Sequence, residues 1–230
     1  GVGPVSLSLK AGEVVGLTGL IGSGYDVALH LLYGSRRAAG GRLVLDGEAT
    51  ELHAMAPDRA IARGVVLVPG DRLHEGAVGR LPVADNVTLP LIRRSARGWV
   101  IRHREMRRIA EGLAQDYDVR PRDPSRLLAQ LSGGNQQKVV LAKWFQTRPR
   151  LILLEEPTQG VDIGAREQVF GTIRRMSEGG ATVLCASSDH EQLAAICDRV
   201  VVFAQGRPAA EIAGTRISKS AIAALCYGAE

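Results

Sequence analysis

The sequence predicts an α/β fold, a mostly parallel sheet flanked by helices, with an antiparallel N-terminal part and a helical insert. Three observations predict it. Apolar runs of strand length, Val65-Val66-Leu67-Val68 and Leu151-Ile152-Leu153-Leu154, show no polar alternation, as in strands buried on both faces. Amphipathic stretches alternate with such runs, the order of a wound parallel sheet. From about residue 81 to residue 126 that alternation gives way to an Arg- and Pro-rich segment.

Taken in order, residues 14–17 read as a strand, followed by a glycine-rich turn and a helix through residues 28–32. Residues 42–45 alternate and end at Asp46-Gly47, a hairpin turn signal. Pro57-Asp58 opens a helix that is expected to end at Gly64, and residues 65–68 form the next strand. In the insert, Met106, Ile109, Ala110 and Leu113 fall at i, i+3, i+4 and i+7, one face of a helix. A second helix is expected after Gly133-Gly134, carrying Val139, Val140, Trp144 and Phe145. Residues 151–154, 182–186 and 200–203 are strands; Val169, Phe170, Ile173 and Met176 mark a helix between the first two. Gln205-Gly206-Arg207 turns the chain, and residues 218–226 close it as a helix. The whole chain, 1–230, reads as one domain with residues 81–148 as a helical subdomain.

Composition sets outer bounds. With 230 residues, 45% hydrophobic and 23% charged, the chain builds a core without cross-links. Its apolar runs are far shorter than the ~20 residues of a membrane span. No basic segment followed by an apolar one opens the chain, so no signal peptide is expected. It begins Gly-Val-Gly-Pro rather than with Met, and we expect a piece of a longer polypeptide. Three cysteines with no Cys-x-x-Cys spacing are expected as buried free thiols in a reducing cytoplasm. The net charge of +5 gathers at Arg93, Arg94, Arg97, Arg102, Arg104, Arg107 and Arg108. That cluster is either a solvated helix face or a patch for nucleic acid or lipid headgroups. Trp99 alone interleaves with it, which argues against a stacking platform for single strands.

Three motifs carry chemistry. Gly19-Leu20-Ile21-Gly22-Ser23-Gly24-Tyr25-Asp26 follows a strand and opens a helix, so its backbone N–H groups and the helix dipole face an anion. A phosphate loop runs Gly-x-x-x-x-Gly-Lys-[Ser/Thr]; Gly19 and Gly24 keep that spacing, but Tyr25 and Asp26 replace the last two residues. Leu131-Ser132-Gly133-Gly134-Asn135-Gln136-Gln137-Lys138 puts a hydroxyl and glycine N–H groups at another helix start, a second anion site. Glu155-Glu156-Pro157-Thr158 ends a buried strand, where open α/β sheets place ligands. One of its carboxylates can hold Mg²⁺ and the next can polarise an attacking water.

In order and spacing these three strings resemble the ATP-binding subunits of ABC transporters, P-loop NTPases, over essentially the whole chain. Asn135-Gln136-Gln137-Lys138, Gly160-Val161-Asp162-Ile163-Gly164-Ala165 and Val68-Pro69-Gly70-Asp71-Arg72 look like the second half of tandem ATPases serving monosaccharide importers of the ribose, galactose and xylose kind. The resemblance implies ATP and Mg²⁺ as ligands. It implies an upstream ATPase half on the same chain, integral membrane permeases and an extracytoplasmic sugar-binding protein as partners, with no nucleic acid. It implies a cytoplasmic place, peripheral to the inner face of the membrane.

By the same resemblance, Gly19, Gly22, Ser23, Gly24, Tyr25 and Asp26 bind nucleotide, and Glu156 is the catalytic base. Leu131, Ser132, Gly133, Gly134, Asn135 and Gln136 form the signature that meets ATP held by a partner domain. Glu155 and Asp26 are the metal candidates, and Asp162 lies in the loop that crosses to the partner. The departures are Tyr25 for the phosphate lysine, Asp26 for the metal hydroxyl, Glu155 for Asp, Gly70 near the usual Gln, and Ser188 where a switch His belongs. His190 reads as a loop or helix-start histidine. The expected function is therefore ATP binding and hydrolysis by an assembled pair, driving sugar import, with this half weak or inactive alone. The alternatives are a self-sufficient ABC ATPase and a non-transport ABC ATPase acting on nucleic acid.

Overall fold

The computed structural model describes residues 2–92, 96–97, 100–101 and 103–228. Two compact units divide the chain. One comprises Gly1–Leu67, Arg150–Glu156 and Ile173–Glu230, the other Val68–Pro149 and Pro157–Thr172. Among the described residues no helix is long and apolar enough to cross a membrane.

The first unit is organised by a six-stranded sheet. Its strands are β1 (Val14–Gly19), β4 (Val65–Val68), β7 (Leu151–Glu155), β8 (Thr182–Ala186), β9 (Arg199–Ala204) and β10 (Arg207–Ala213). They lie in the order β10-β9-β1-β8-β7-β4. β1 pairs parallel with β8 and β9, β8 parallel with β7, and β10 antiparallel with β9. β4 is apolar at every position, and β1, β7 and β8 are apolar except for Thr18, Glu155 and Thr182, because both their faces are covered. Val15, Leu17, Leu29, Leu67, Leu153, Leu184 and Phe203 form this core, and each large side chain removed from water contributes roughly 1.5–3 kcal/mol. Because β1, β7 and β8 run in one direction, their C-terminal ends, Gly19, Glu155 and Ala186, share one edge of the sheet.

The antiparallel part is the hairpin of β2 (Arg42–Leu45) and β3 (Glu48–Glu51). Asp46 and Gly47 both hold positive φ, 52° and 81°, the turn whose twist matches a two-residue hairpin. α1 (Tyr25–Tyr33) starts at Gly24 and stops at Gly34, both left-handed. α2 (Pro57–Ala62) ends two residues before Gly64. α7 (His190–Ile196) begins at His190, with the Asp189 carboxylate accepting from the Glu191 and Gln192 N–H groups. The closing helix α8 spans Lys219–Gly228, one residue later at its start than expected and two at its end. Cys185, Cys197 and Cys226 are free and buried, and burial pushes all three thiols up.

The second unit is helical. α3 (Val83–Thr88), α4 (His103–Asp116) and α5 (Gly133–Phe145) enclose Val83, Val87, Ala114, Val119, Leu128, Leu131 and Val139. β5 (Ala96–Arg97) and β6 (Val100–Ile101) form a short antiparallel pair beside them in sequence. α4 buries Met106, Ala110 and Ala114 and exposes Arg104, Arg107 and Arg108. Arg107 pairs with Glu111 at i+4. Arg93, Arg94, Trp99 and Arg102 lie outside the described residues. α5 begins at Gly133 itself rather than after the glycines, because Ser132 takes the extended N-cap conformation. Buried Lys143 on α5 donates to the Gly76 carbonyl at 2.8 Å, and desolvation pushes its pKa down to about 8. α6 (Ile163–Glu178) starts in this unit; Asp162 caps it by accepting from the Ala165 N–H at 2.9 Å.

Candidate functional site

Within the first unit, the shared edge of β1, β7 and β8 gathers the loop of residues 19–26, Glu155, Glu156 and Ser188. Gly19 is required by close approach: a Cβ there would collide with the Phe203 carbonyl and the Ser23 hydroxyl. Gly22 sits at φ +86° with nothing within 4 Å of where a Cβ would point, an open cradle of backbone. Gly24 holds φ +91° as the N-cap of α1, and no side chain caps that helix start. Ser23 Oγ is buried without a hydrogen-bond partner among the described residues, a group that costs about 1–3 kcal/mol until something pairs with it. Open backbone, a bare helix N-terminus and an orphaned hydroxyl together fit an anion such as phosphate.

The charges around this cradle are mostly negative. Tyr25 is half-buried, and its pKa is pushed up to about 12, first by burial and then by the Glu156 and Asp26 carboxylates. The phenol therefore stays neutral at physiological pH, and the lysine position carries no cation. Asp26 is exposed on the first turn of α1. The Glu156 carboxylate is held at both oxygens, by Ser187 Oγ at 2.6 Å and by the Ser188 N–H at 2.5 Å. Glu156 also has φ +41°, an uncommon backbone state for a residue with a side chain. So Ser188 meets Glu156 through its backbone.

Glu155 has a neighbour that the sequence did not announce. His30, on α1, brings Nε2 to 3.4 Å from Glu155 Oε1 while its Nδ1 lies 2.8 Å from Ser35 Oγ. Among the described residues no three His, Cys, Asp or Glu side chains gather into a metal-binding group.

Within the second unit, the stretch of residues 131–138 starts α5. Ser132 is exposed, and its hydroxyl accepts from Asn135 Nδ2 at 2.9 Å instead of capping the helix. Asn135 Oδ1 accepts from the Arg120 N–H at 2.7 Å. Leu131 is buried, and its carbonyl accepts from Gln136 Nε2 at 2.9 Å. The glycines are forced by contact: a Cβ on Gly133 would strike the Gly160 carbonyl, and one on Gly134 would lie 2.6 Å from Ala165 Cβ and 3.4 Å from an Asp162 carboxylate oxygen. A cavity of about 390 Å³ opens beside Ser132, lined by Asp118, Arg120, Asn135, Lys138 and Asp162 among others. Lys138 donates to the Asp118 carbonyl at 2.8 Å. Gly70 accepts the Arg72 N–H through its carbonyl at 3.1 Å.

The residues that sequence reasoning missed are His30, Ser187 and the guanidinium of Arg72. Each acts through a partner 31 to 125 positions away, so no local pattern marks it.

Comparison with known proteins agrees with this geometry. The family described as "ABC transporter" matches residues 2–159. The "Putative ribose/galactose/methyl galactoside import ATP-binding protein 3" of Agrobacterium fabrum is 36% identical over 98% of this chain and 45% of its own length. A "Ribose import ATP-binding protein RbsA" of Chelativorans sp. is 39% identical over 90% of this chain and 41% of its own. The chain spans less than half the length of these curated relatives. Among solved structures, a dimeric post-hydrolysis ATP-binding cassette bound to ADP and phosphate superposes with a TM-score of 0.75 at 25% identity, over 92% of this chain and 90% of that one. A nucleotide-free cassette from an ABC transporter shares the fold at a TM-score of 0.80 and 21% identity, over 96% and 88%. With that family matched across more than half of its residues, the chain belongs to the ABC transporter family.

Proposed function

We propose that this chain is the second nucleotide-binding half of a tandem ATPase that drives import of a monosaccharide of the ribose or galactose kind. The observation that carries the reading is the contrast between a complete Leu131–Lys138 string and a phosphate loop whose cation position holds a neutral, half-buried Tyr25. The printed names of the relatives and the share of their length that the chain covers support it. Residues 1–230 are one cassette, with residues 81–148 as its helical subdomain.

In this reading Ser132, Gly133 and Gly134 serve ATP held by the upstream half, and Asp162 joins them at that partner. The chain's own loop takes nucleotide through the Gly19–Gly24 backbone and Ser23 Oγ. A charge-assisted hydrogen bond is worth about 1.5–3 kcal/mol, so the missing lysine weakens nucleotide binding roughly tenfold to a hundredfold. Glu156, fixed by Ser187 and Ser188, stands as the base that would polarise water. Without a cation to offset charge on the transferred group, it turns over slowly at best. Mg²⁺, when bound with nucleotide beside Glu155 and Asp26, supplies part of that neutralisation. The partners are membrane permeases and an extracytoplasmic sugar-binding protein, and the place is the inner face of the membrane.

Mg-ATP turnover by the purified chain, beside Glu156→Gln and a separate nucleotide titration, tests the assignment. Weak binding without turnover is expected. Turnover that disappears with Glu156→Gln would establish the second reading, a self-sufficient ATPase, which the fixed Glu156 carboxylate favours.

A further inference from the structure

The motif Val68-Pro69-Gly70-Asp71-Arg72 has no part in either anion site, yet the side chain of its last residue joins two separate segments of the second unit. Arg72 Nε donates to Gln136 Oε1 at 3.2 Å, Nη1 to the Gln159 carbonyl at 2.6 Å, and Nη2 to the Gly160 carbonyl at 3.4 Å. Gln136 lies on the first turn of α5 and passes the link on to the Leu131 carbonyl. Gln159 and Gly160 lead into Asp162. The packing around the guanidinium leaves no room for side chains. A Cβ on Gly133 would lie 2.8 Å from Nη2, and one on Gly160, already at φ +64°, would lie 3.3 Å from it. Three acceptors on two separate segments call for a planar fork with several donors. An ammonium on a flexible stem carries the same charge but cannot fan out to all three.

We propose that Arg72 is a positioning residue that locks the signature stretch to the loop of residues 159–162, so that both are presented to a partner's nucleotide in one fixed register. The idea rests on the signature reading proposed above. Arg72 is not placed against nucleotide, so its loss acts on the assembled catalytic geometry rather than on substrate affinity.

The test uses the full-length tandem ATPase that carries this half. Arg72→Ala and Arg72→Lys should each lower kcat at least tenfold, with the KM for ATP within twofold of the parent. A wild-type kcat in Arg72→Lys would mean that charge alone suffices, and the lock would be wrong. A change confined to KM would also overturn it. If Arg72→Ala does not fold, Arg72→Lys still decides. Gln136→Ala combined with Arg72→Lys should fall no lower than the worse single variant, because one network is being broken twice; multiplying losses would refute a shared lock. Ser132→Trp in the same protein separates the two ideas. If it abolishes turnover while Arg72→Lys does nothing, only the lock fails. If it leaves turnover intact, the signature reading fails and takes the lock with it.

Discussion

The loop of residues 19–26 and the stretch of residues 131–138 both offer an anion the N-terminus of a helix, but they differ in what stands behind the backbone. Behind the first are Asp26, Glu155 and Glu156, with a neutral phenol where a cation would serve. Beside the second, at the cavity next to Ser132, Lys138 and Arg120 stand with Asp118 and Asp162, and Asp118 pairs with both cations. Backbone geometry alone makes a cradle; a counter-charge makes it hold. The first region has the cradle and no cation at the lysine position; the second has cations beside its cradle, partly offset by Asp118.

Three changes to the two anion sites sharpen or break that comparison. The largest effect is expected at Ser132. It is exposed, so Ser132→Trp leaves the fold intact and obstructs only the surface a partner nucleotide would meet. ATPase activity of the full-length tandem protein should fall by more than a hundredfold, and unchanged turnover would mean that Ser132 does not serve ATP held by the upstream half. Next is Tyr25→Lys. A restored cation should tighten nucleotide binding about tenfold to a hundredfold, read by calorimetric titration; no gain would mean that the loop is not a phosphate site. Ser23→Ala should split two properties. Removing a buried unpaired hydroxyl stabilises the chain by about 1 kcal/mol, seen as a later denaturant midpoint, while nucleotide affinity drops. If affinity does not move, Ser23 Oγ has no ligand role.

The smallest effect concerns the scaffold of α5, which the stretch of residues 131–138 opens. The Lys143 pKa is pushed down to about 8 from an ordinary 10.5. Between those values the unfolded chain binds more protons than the folded one, so this group makes stability rise with pH. The raised cysteine thiols pull the opposite way in the same alkaline range, because there the folded state keeps protons that the unfolded state loses. The difference between parent and Lys143→Met isolates the lysine. That difference should shift in the parent's favour from pH 8 to pH 10, and a flat difference would show that Lys143 is not desolvated.

Much of the fold was legible because its strands announce themselves. Residues 65–68 and 151–154 are apolar without a break, and the structure buries every one of them. β10 was not legible. It opens Arg207-Pro208, buries little beyond Ile212, and earns its place only by pairing with β9 at the sheet edge. α3 was hidden by its length, six residues with Val83 and Val87 inward. Its support comes from Asn86, fully buried, which accepts from the Val78 N–H and donates to the Val78, Leu81 and Pro82 carbonyls. At the site, the glycine loop and the two glutamates could be placed from spacing. That His30 stands against Glu155, or Arg72 against Gln136, depends on chain segments brought together only by folding. The start of α5 shows the limit at short range. Gly133 and Gly134 looked like a lead-in, yet they are inside the helix, whose extended N-cap is Ser132, and neighbouring atoms leave no space for a side chain at either.

The shielding of Cys185, Cys197 and Cys226 has a practical side. All three sulfur atoms are covered and held protonated well above neutrality, so the native chain offers a maleimide dye almost nothing to react with. A single cysteine introduced at fully exposed Ile21, on the lip of the glycine loop, would then be the one place that takes the label. Occupancy of that loop could be followed as a change in emitted light, with no turnover needed to report it.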